Sequence, residues 1–275
     1  MVSSKILSIA QKNRFQFTIY QYYKKQVRTL PWRQTRNPYY IFISEVMLQQ
    51  TQVPRVLKKY PPFIVAFPDF TSLARAPLRR VMKLWQGLGY NRRALLLKKA
   101  AAMVVNTYQG KLPLTMDELI KLPGVGKTTA GAIMVFAFNK PAVFIETNIR
   151  SVFIHFFFKK RKEIDDEEIL SLIGQTVAKK NPRIWYWALM DYGVMLKKKY
   201  LNPSQKSAHY IKATPFQGSD RQIRGLIIKA LISGSLTEKK LIQQINKDSK
   251  RIKENLIKLN NEELLKKVGE RYLIR

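Results

Sequence analysis

Two carboxylates stand inside apolar runs of a chain that is otherwise short of acids. Glu45 lies in YIFISEVMLQQTQV and Glu146 in PAVFIETNIRSV. A free charge on the mostly apolar Glu45 helix would be costly, so this glutamate is either hydrogen-bonded structure or chemistry. Glu146 precedes a helix, where an acidic N-cap is the simple alternative. As a pair they suit glycosidic-bond chemistry: one carboxyl protonates the leaving group or directs water, and the other stabilises an oxocarbenium-like sugar. A leaving group that is a nucleobase must first be taken out of its stack, and the polar Gln49–Gln52 stretch beside Glu45 offers side chains to fill the gap.

A second feature concerns phosphate. LPGVGKTTAGAI (Leu122 to Ile133) contains GVGKTT, which resembles the end of a nucleotide-binding P-loop. That loop requires a glycine where this chain has Lys121, and a preceding strand where TMDELIKL reads as a helix, so ATP hydrolysis is excluded. What remains is helix, turn, helix. Pro123 stops the first helix, the glycines allow a tight turn, and the amides opening the second helix face an anion. A backbone phosphate of nucleic acid is the expected ligand.

The charge agrees with such a partner. Fifty Lys and Arg oppose eighteen Asp and Glu, a net +32, and cations that neutralise phosphates release condensed counterions. With no cysteine, disulfides, thiolate metal sites and cysteine nucleophiles are excluded, and His155 and His209 are too few and too far apart for a zinc site of the usual kind. No long apolar span and no signal-peptide core is visible, so no membrane association and a cytoplasmic, nucleoid-associated location are expected.

Helical periodicity dominates the elements that must position these groups. YIFISEVMLQQTQVPRVLKKY predicts a helix that ends or bends near Pro54. RRALLLKKAAAMVVNTY, TMDELIKL with Thr115 as N-cap, TTAGAIMVFAF, ETNIRSVFIHFFF, DDEEILSLIGQTVAKK and RIWYWALMDYGVMLKKK follow as helices. The first ~200 residues read as all-α. YLNPSQKSAHYIKATPFQGSD reads as a linker. Three short helices and a hairpin around Gly269-Glu270 then form a winged-helix pattern. The expected organisation is a helical domain over 1–213 and a winged-helix-like domain over 218–275.

LPWR, YYIFISEVMLQQTQV, LWQGLGYNRRALLLKKAA, LPGVGKTTAGAI and ALMDYGVML together resemble MutY-type adenine DNA glycosylases of the helix–hairpin–helix (endonuclease III) superfamily, over about Leu30 to Leu196. The resemblance implies a fold of two helical subdomains. It gives Glu45 as the catalytic glutamate, Gln49, Gln50 and Tyr90 as residues that intrude into the DNA stack, and Leu122, Gly124, Val125, Gly126 and Lys127 as the phosphate-holding hairpin. Asn148 matches an active-site asparagine. Thr128 stands where bifunctional relatives carry a Schiff-base lysine, which implies base removal without strand cleavage. Arg33 and Trp187 fall in the expected base pocket.

Four departures qualify the resemblance. Glu146 stands where the family has an aspartate, and the extra methylene moves the carboxylate by ~1.5 Å, worth ~10²-fold if uncompensated. The four-cysteine iron–sulfur ligand set is absent, with Lys197 opening the segment that should hold it, so no cofactor is expected. Trp187 replaces a Gln or Glu and leaves the base preference open, since an indole donates but does not accept. A winged-helix pattern stands where the family has the Nudix-like domain that reads 8-oxoguanine, so that domain is expected to be absent. The expected function is a monofunctional glycosylase acting as a monomer on duplex DNA with a mispaired or damaged base, most readily adenine opposite guanine or 8-oxoguanine. A thymine or uracil mismatch glycosylase and a non-catalytic DNA-binding protein are the alternatives.

Overall fold

A computed structural model describes residues 5–200, 202–212 and 214–275. Both ends of the expected 1–213 domain, and Leu201 and Ala213 of the expected linker, lie outside the described residues.

In chain order the helices are α1 (Ile9–Lys25), α2 (Pro38–Leu48), α3 (Val53–Ala66), α4 (Phe70–Arg75), α5 (Leu78–Trp85), α6 (Arg92–Tyr108) and α7 (Met116–Lys121). After them come α8 (Lys127–Phe136), α9 (Thr147–Phe157), α10 (Asp166–Thr176), α11 (Pro182–Lys199) and α12 (Asp220–Ile232). The chain ends with β1 (Leu236–Thr237), α13 (Glu238–Ile245), α14 (Ser249–Asn261), β2 (Leu265–Val268) and β3 (Arg271–Ile274). Local chemistry explains the starts. Ser8, Asp69, Asp165, Ser219, Thr237 and Asp248 each accept a first-turn amide as N-caps. Thr115 accepts from the Glu118 amide and donates to its carboxylate, an arrangement that supports the start of α7. Among the described residues no helix is long and apolar enough to cross a membrane.

The chain divides into two compact units. One comprises the chain up to Ile41, Leu114–Ile120 and Val125–Lys212; the other comprises Phe42–Pro113, Lys121–Gly124 and the chain beyond Lys212. In the first unit, Phe15 of α1 packs edge-on against Phe153 of α9 at 5.2 Å and Trp185 of α11 at 5.6 Å. In the second, Phe63 of α3 meets Trp85 of α5 at 6.0 Å.

Three features differ from the expectations. The helix carrying Glu45 ends at Leu48, before Pro54, because Gln50 takes a left-handed φ of 50° that breaks it. Pro54 then lies in the first turn of α3, where its missing N–H costs no intrahelical bond. The expected linker is partly built into the first unit: Pro203–Lys206 form a 3₁₀ turn and Ile164 bridges Ser207. The C-terminal region has the three helices and the hairpin, but also β1, which pairs with β3 to give a three-stranded sheet in the order β1-β3-β2. Leu236 opposite Tyr272 and Leu265 opposite Ile274 set its register.

Candidate active site

In the second unit the candidates gather around a residue the sequence reading did not single out. Glu45 sits half-buried near the end of α2, where its neighbours Phe42, Ile43, Val46 and Met47 are buried. The α2 end is fastened by Arg93, whose guanidinium donates to the carbonyls of Val46 at 2.8 Å and Met47 at 3.0 Å. The same guanidinium donates to Thr51 Oγ1 at 2.8 Å and to the carbonyls of Leu88 and Gly89 at 3.2 and 3.1 Å. One cation therefore ties the Gln49–Gln52 turn to the Leu88–Tyr90 turn. Burial pushes its pKa down to about 10. Its hydrogen-bond partners are carbonyls and a hydroxyl, with the rings of Trp85 and Tyr90 at 5.2 and 5.7 Å. The motif LWQGLGYNRR contains this arginine, and five donors in a fixed fork are the signal that could have found it.

Two of the three intrusion candidates at these turns have left-handed backbones, Gln50 with φ 50° and Tyr90 with φ 47°. Such a φ is uncommon for a bulky residue and marks a backbone held by its surroundings. Tyr90 is 43% exposed. Its hydroxyl accepts from Arg221 of α12 at 3.2 Å. Gln49 donates through Nε2 to the Gly124 carbonyl at 3.2 Å, which joins one intrusion candidate to the glycine turn. Gly124 has φ +80°, and a Cβ there would meet Leu96 Cβ at 3.0 Å, so both backbone and space call for glycine.

The side chains of Leu122 and Val125 are buried, so what this turn can offer a phosphate is its backbone amides. Gly126 is the N-cap of α8, with no side-chain hydrogen bond capping that end, and Lys127 and Thr128 are exposed. The positive end of a helix beside an exposed lysine suits an anion. Thr128 Oγ1 donates to the Ile145 carbonyl at 3.5 Å, next to Glu146.

In the first unit Glu146 is the N-cap of α9. Its Oε1 accepts from the amides of Asn148 and Ile149, each at 2.9 Å. Its Oε2 accepts from Asn148 Nδ2 at 3.1 Å. Asn148 Oδ1 in turn accepts from Lys197 Nζ at 2.9 Å. Burial lowers the Lys197 pKa, the Glu146 carboxylate raises it, and Arg150 lowers it again. The capping alternative and the chemical one thus describe the same carboxylate.

Arg33 and Trp187, expected in the base pocket, both lie in the first unit. Arg33 forms a two-pronged pair with the buried Asp191, at 2.8 and 2.9 Å, and Arg28 Nε reaches the same carboxylate at 2.5 Å. Trp187 is 7% exposed. Its ring stacks on Phe136 at 6.2 Å, with the Arg33 guanidinium at 5.4 Å and that of Arg36 at 6.0 Å.

The segment after α11 does not fit an iron–sulfur cluster. It supplies no thiolate. Its side chains form a polar clasp on α9 instead: Ser204 Oγ donates to the Thr147 carbonyl at 3.0 Å and lies 2.6 Å from Ser151 Oγ, which is 3.3 Å from Asn202 Oδ1.

Residues 43–178 match the family described as HhH-GPD superfamily base excision DNA repair protein. This stretch is an HhH-GPD domain. The chain is 39% identical over 173 residues to an adenine DNA glycosylase of Buchnera aphidicola subsp. Baizongia pistaciae, covering 62% of this chain and 48% of that protein. It is 36% identical over 144 residues to a thymine/uracil-DNA glycosylase of Methanothermobacter thermautotrophicus, covering 52% of this chain and 65% of the relative. Among solved structures, a thermostable thymine-DNA glycosylase superposes with a TM-score of 0.63 at 28% identity, over 72% of this chain and 92% of that one. The chain spans about half the length of the first curated relatives it matches. Outside residues 43–178, the HhH-GPD match leaves the region from α12 onwards uncovered.

Proposed function

We propose that this protein is a monofunctional DNA glycosylase that hydrolyses the N-glycosidic bond of a mispaired base in duplex DNA, most readily adenine opposite guanine or 8-oxoguanine. The observation that carries the reading is the Arg93-fastened pair of turns. It holds Gln50 and Tyr90 in left-handed backbone at the surface, next to the helix that bears Glu45. That is the equipment for filling the space of an extruded base beside an acid.

In this reading the Glu45 carboxyl delivers a proton to the leaving base as the C1′–N bond breaks. Glu146, which the resemblance gives as the second carboxylate, stabilises the positive charge that develops on the sugar. Water, with its proton passed to a carboxylate, adds hydroxide to C1′. Thr128 cannot form the Schiff base that a lysine would, so the product is an abasic site on an intact strand. Backbone amides around Gly124 and Gly126, with Lys127, hold a phosphate. Adenine is favoured by the several relatives named adenine DNA glycosylase. The thymine or uracil alternative is favoured by the 65% coverage of one such relative and by the 0.63 TM-score to a thymine-DNA glycosylase.

Labelled duplexes carrying A:8-oxoG, A:G, T:G and U:G, incubated with the protein and then treated with alkali, test this. Cleavage that requires alkali supports the reading, and its dependence on the pair names the base. Salt-sensitive binding with no cleavage of any duplex would leave a DNA-binding protein on the same scaffold. A second arm uses Glu45→Gln, expected to abolish base release while binding stays within about twofold.

A further inference from the structure

We propose that Lys197 is a positioning residue for base release, which locks the Asn148 amide in the one orientation that presents its NH₂ group to the Glu146 carboxylate. The proposal rests on the glycosylase reading above.

The argument starts from what each group can do. A carboxylate only accepts hydrogen bonds and an ammonium only donates them, whereas an asparagine amide does one at each end. Asn148 stands between the two, with Oδ1 at 2.9 Å from Lys197 Nζ and Nδ2 at 3.1 Å from Glu146 Oε2. Flipping the amide would set its oxygen against the carboxylate and its NH₂ against the ammonium. Both contacts would turn repulsive at once. An asparagine facing the carboxylate alone would keep rotational freedom about its side chain; with Lys197 behind it, the orientation is set from both ends.

The fold is arranged to make this reach possible. Lys197 lies four residues after Gly193 on α11, one helical turn along the same face. A Cβ at position 193 would stand 2.4 Å from the Asn148 carbonyl oxygen and 2.7 Å from Asn148 Cβ, closer than any side chain tolerates. Gly193 therefore lets α11 come down onto the first turn of α9, and Lys197 crosses the short remaining gap to the amide. The lysine is half-buried; burial lowers its pKa, and the Glu146 carboxylate offsets part of that shift. Glu146 itself has three donors arrayed on it: two backbone amides on Oε1 and the Asn148 amide on Oε2. A carboxylate on the longer glutamate arm has one more rotatable bond to restrain than an aspartate, and the Lys197–Asn148 pair supplies that restraint. Removing it leaves Oε1 on its two backbone amides but Oε2 facing an amide that can rotate, and a catalytic group misplaced by ~1 Å costs ~10²-fold.

Lys197→Met, which keeps the stem and deletes the donor, tests this on the full chain. The expected result is a single-turnover base-release rate at least tenfold lower, with duplex affinity within about twofold of wild type and the folded fraction unchanged. A second measurement does not depend on activity. With selective ¹⁵N-asparagine labelling, the Asn148 side-chain amide protons are expected to exchange with solvent at least tenfold faster in the variant. Wild-type release with an equal rate in Lys197→Met overturns this inference alone, as does unchanged exchange at Asn148. No release by the wild type on any duplex overturns the glycosylase reading and this inference with it.

Discussion

Glu146 has an observed role as a cap and a proposed one in catalysis, and substitution can separate them. As an N-cap it gives two amides of α9 an acceptor, and in the proposed mechanism its charge stabilises the sugar cation. Glu146→Ala removes both, and loss of a cap costs about 1 kcal/mol. Glu146→Gln keeps an oxygen acceptor and removes the charge. Both variants are expected to lose base release by at least tenfold, while the melting temperature falls clearly only in the alanine variant. A glutamine variant as active as wild type would reduce Glu146 to a cap. Asp191 carries no such ambiguity, since its buried carboxylate holds Arg28 and Arg33 together. Asp191→Leu strands two guanidinium groups and is expected to cost about 3–5 kcal/mol in urea unfolding. The capping role of Glu146 was legible in the sequence because it rests on neighbours two and three residues away. The Lys197–Asn148 contact was not, because 49 positions separate the partners and a lysine in a basic chain reads as solvated surface.

At the scale of elements, most helices were legible because their apolar positions recur at helical spacing and their caps are Ser, Thr and Asp. The break between α2 and α3 was misplaced because the cause is not Pro54 but the left-handed Gln50, a conformation that glutamine does not advertise. Arg93 holds that break closed on the neighbouring turn, and a lysine cannot reproduce five bonds with a fork geometry. Arg93→Lys is expected to lower stability by about 2 kcal/mol, since buried carbonyls lose a charged donor. It should also raise amide exchange within Leu88–Tyr90 and Gln49–Gln52; exchange confined to α6 would argue against the shared anchor. The last turn of α9 gives a pH dependence. His155, stacked on Tyr200 at 5.7 Å, has its pKa lowered by burial and by Lys159 and Lys206. The unfolded chain therefore takes up this proton before the folded one, so its contribution is full above the ordinary value of 6.5 and lost as pH falls below it. His155→Gln is expected to flatten the difference in melting temperature between pH 7 and pH 5 relative to wild type.

For the whole molecule, the net +32 makes phosphate neutralisation the expected main term in affinity for the proposed duplex substrate. If 6–10 phosphates are contacted, affinity falls by about 10³–10⁵ between 50 and 200 mM salt, measured by anisotropy. The region beyond Lys212 raises a different question, because a winged-helix pattern after a linker reads as a separate domain. Its contacts argue otherwise: it belongs to the same compact unit as Phe42–Pro113. Arg79 Nε donates to the Ile232 carbonyl at 2.6 Å, Lys99 pairs with Glu263, and Arg221 reaches the Tyr90 hydroxyl. The buried Ile223, Ile227, Ile228 and Leu231 lie on α12, the helix that packs against α5. Removing residues 214–275 would therefore uncover part of α5 and α6 as well as deleting an appendage. The truncated chain is expected to melt at a lower temperature and to show faster amide exchange in Leu78–Trp85 and Arg92–Tyr108. A segment that folds on its own would leave both helices as protected as in the full chain, and that result would restore the picture of two independent domains.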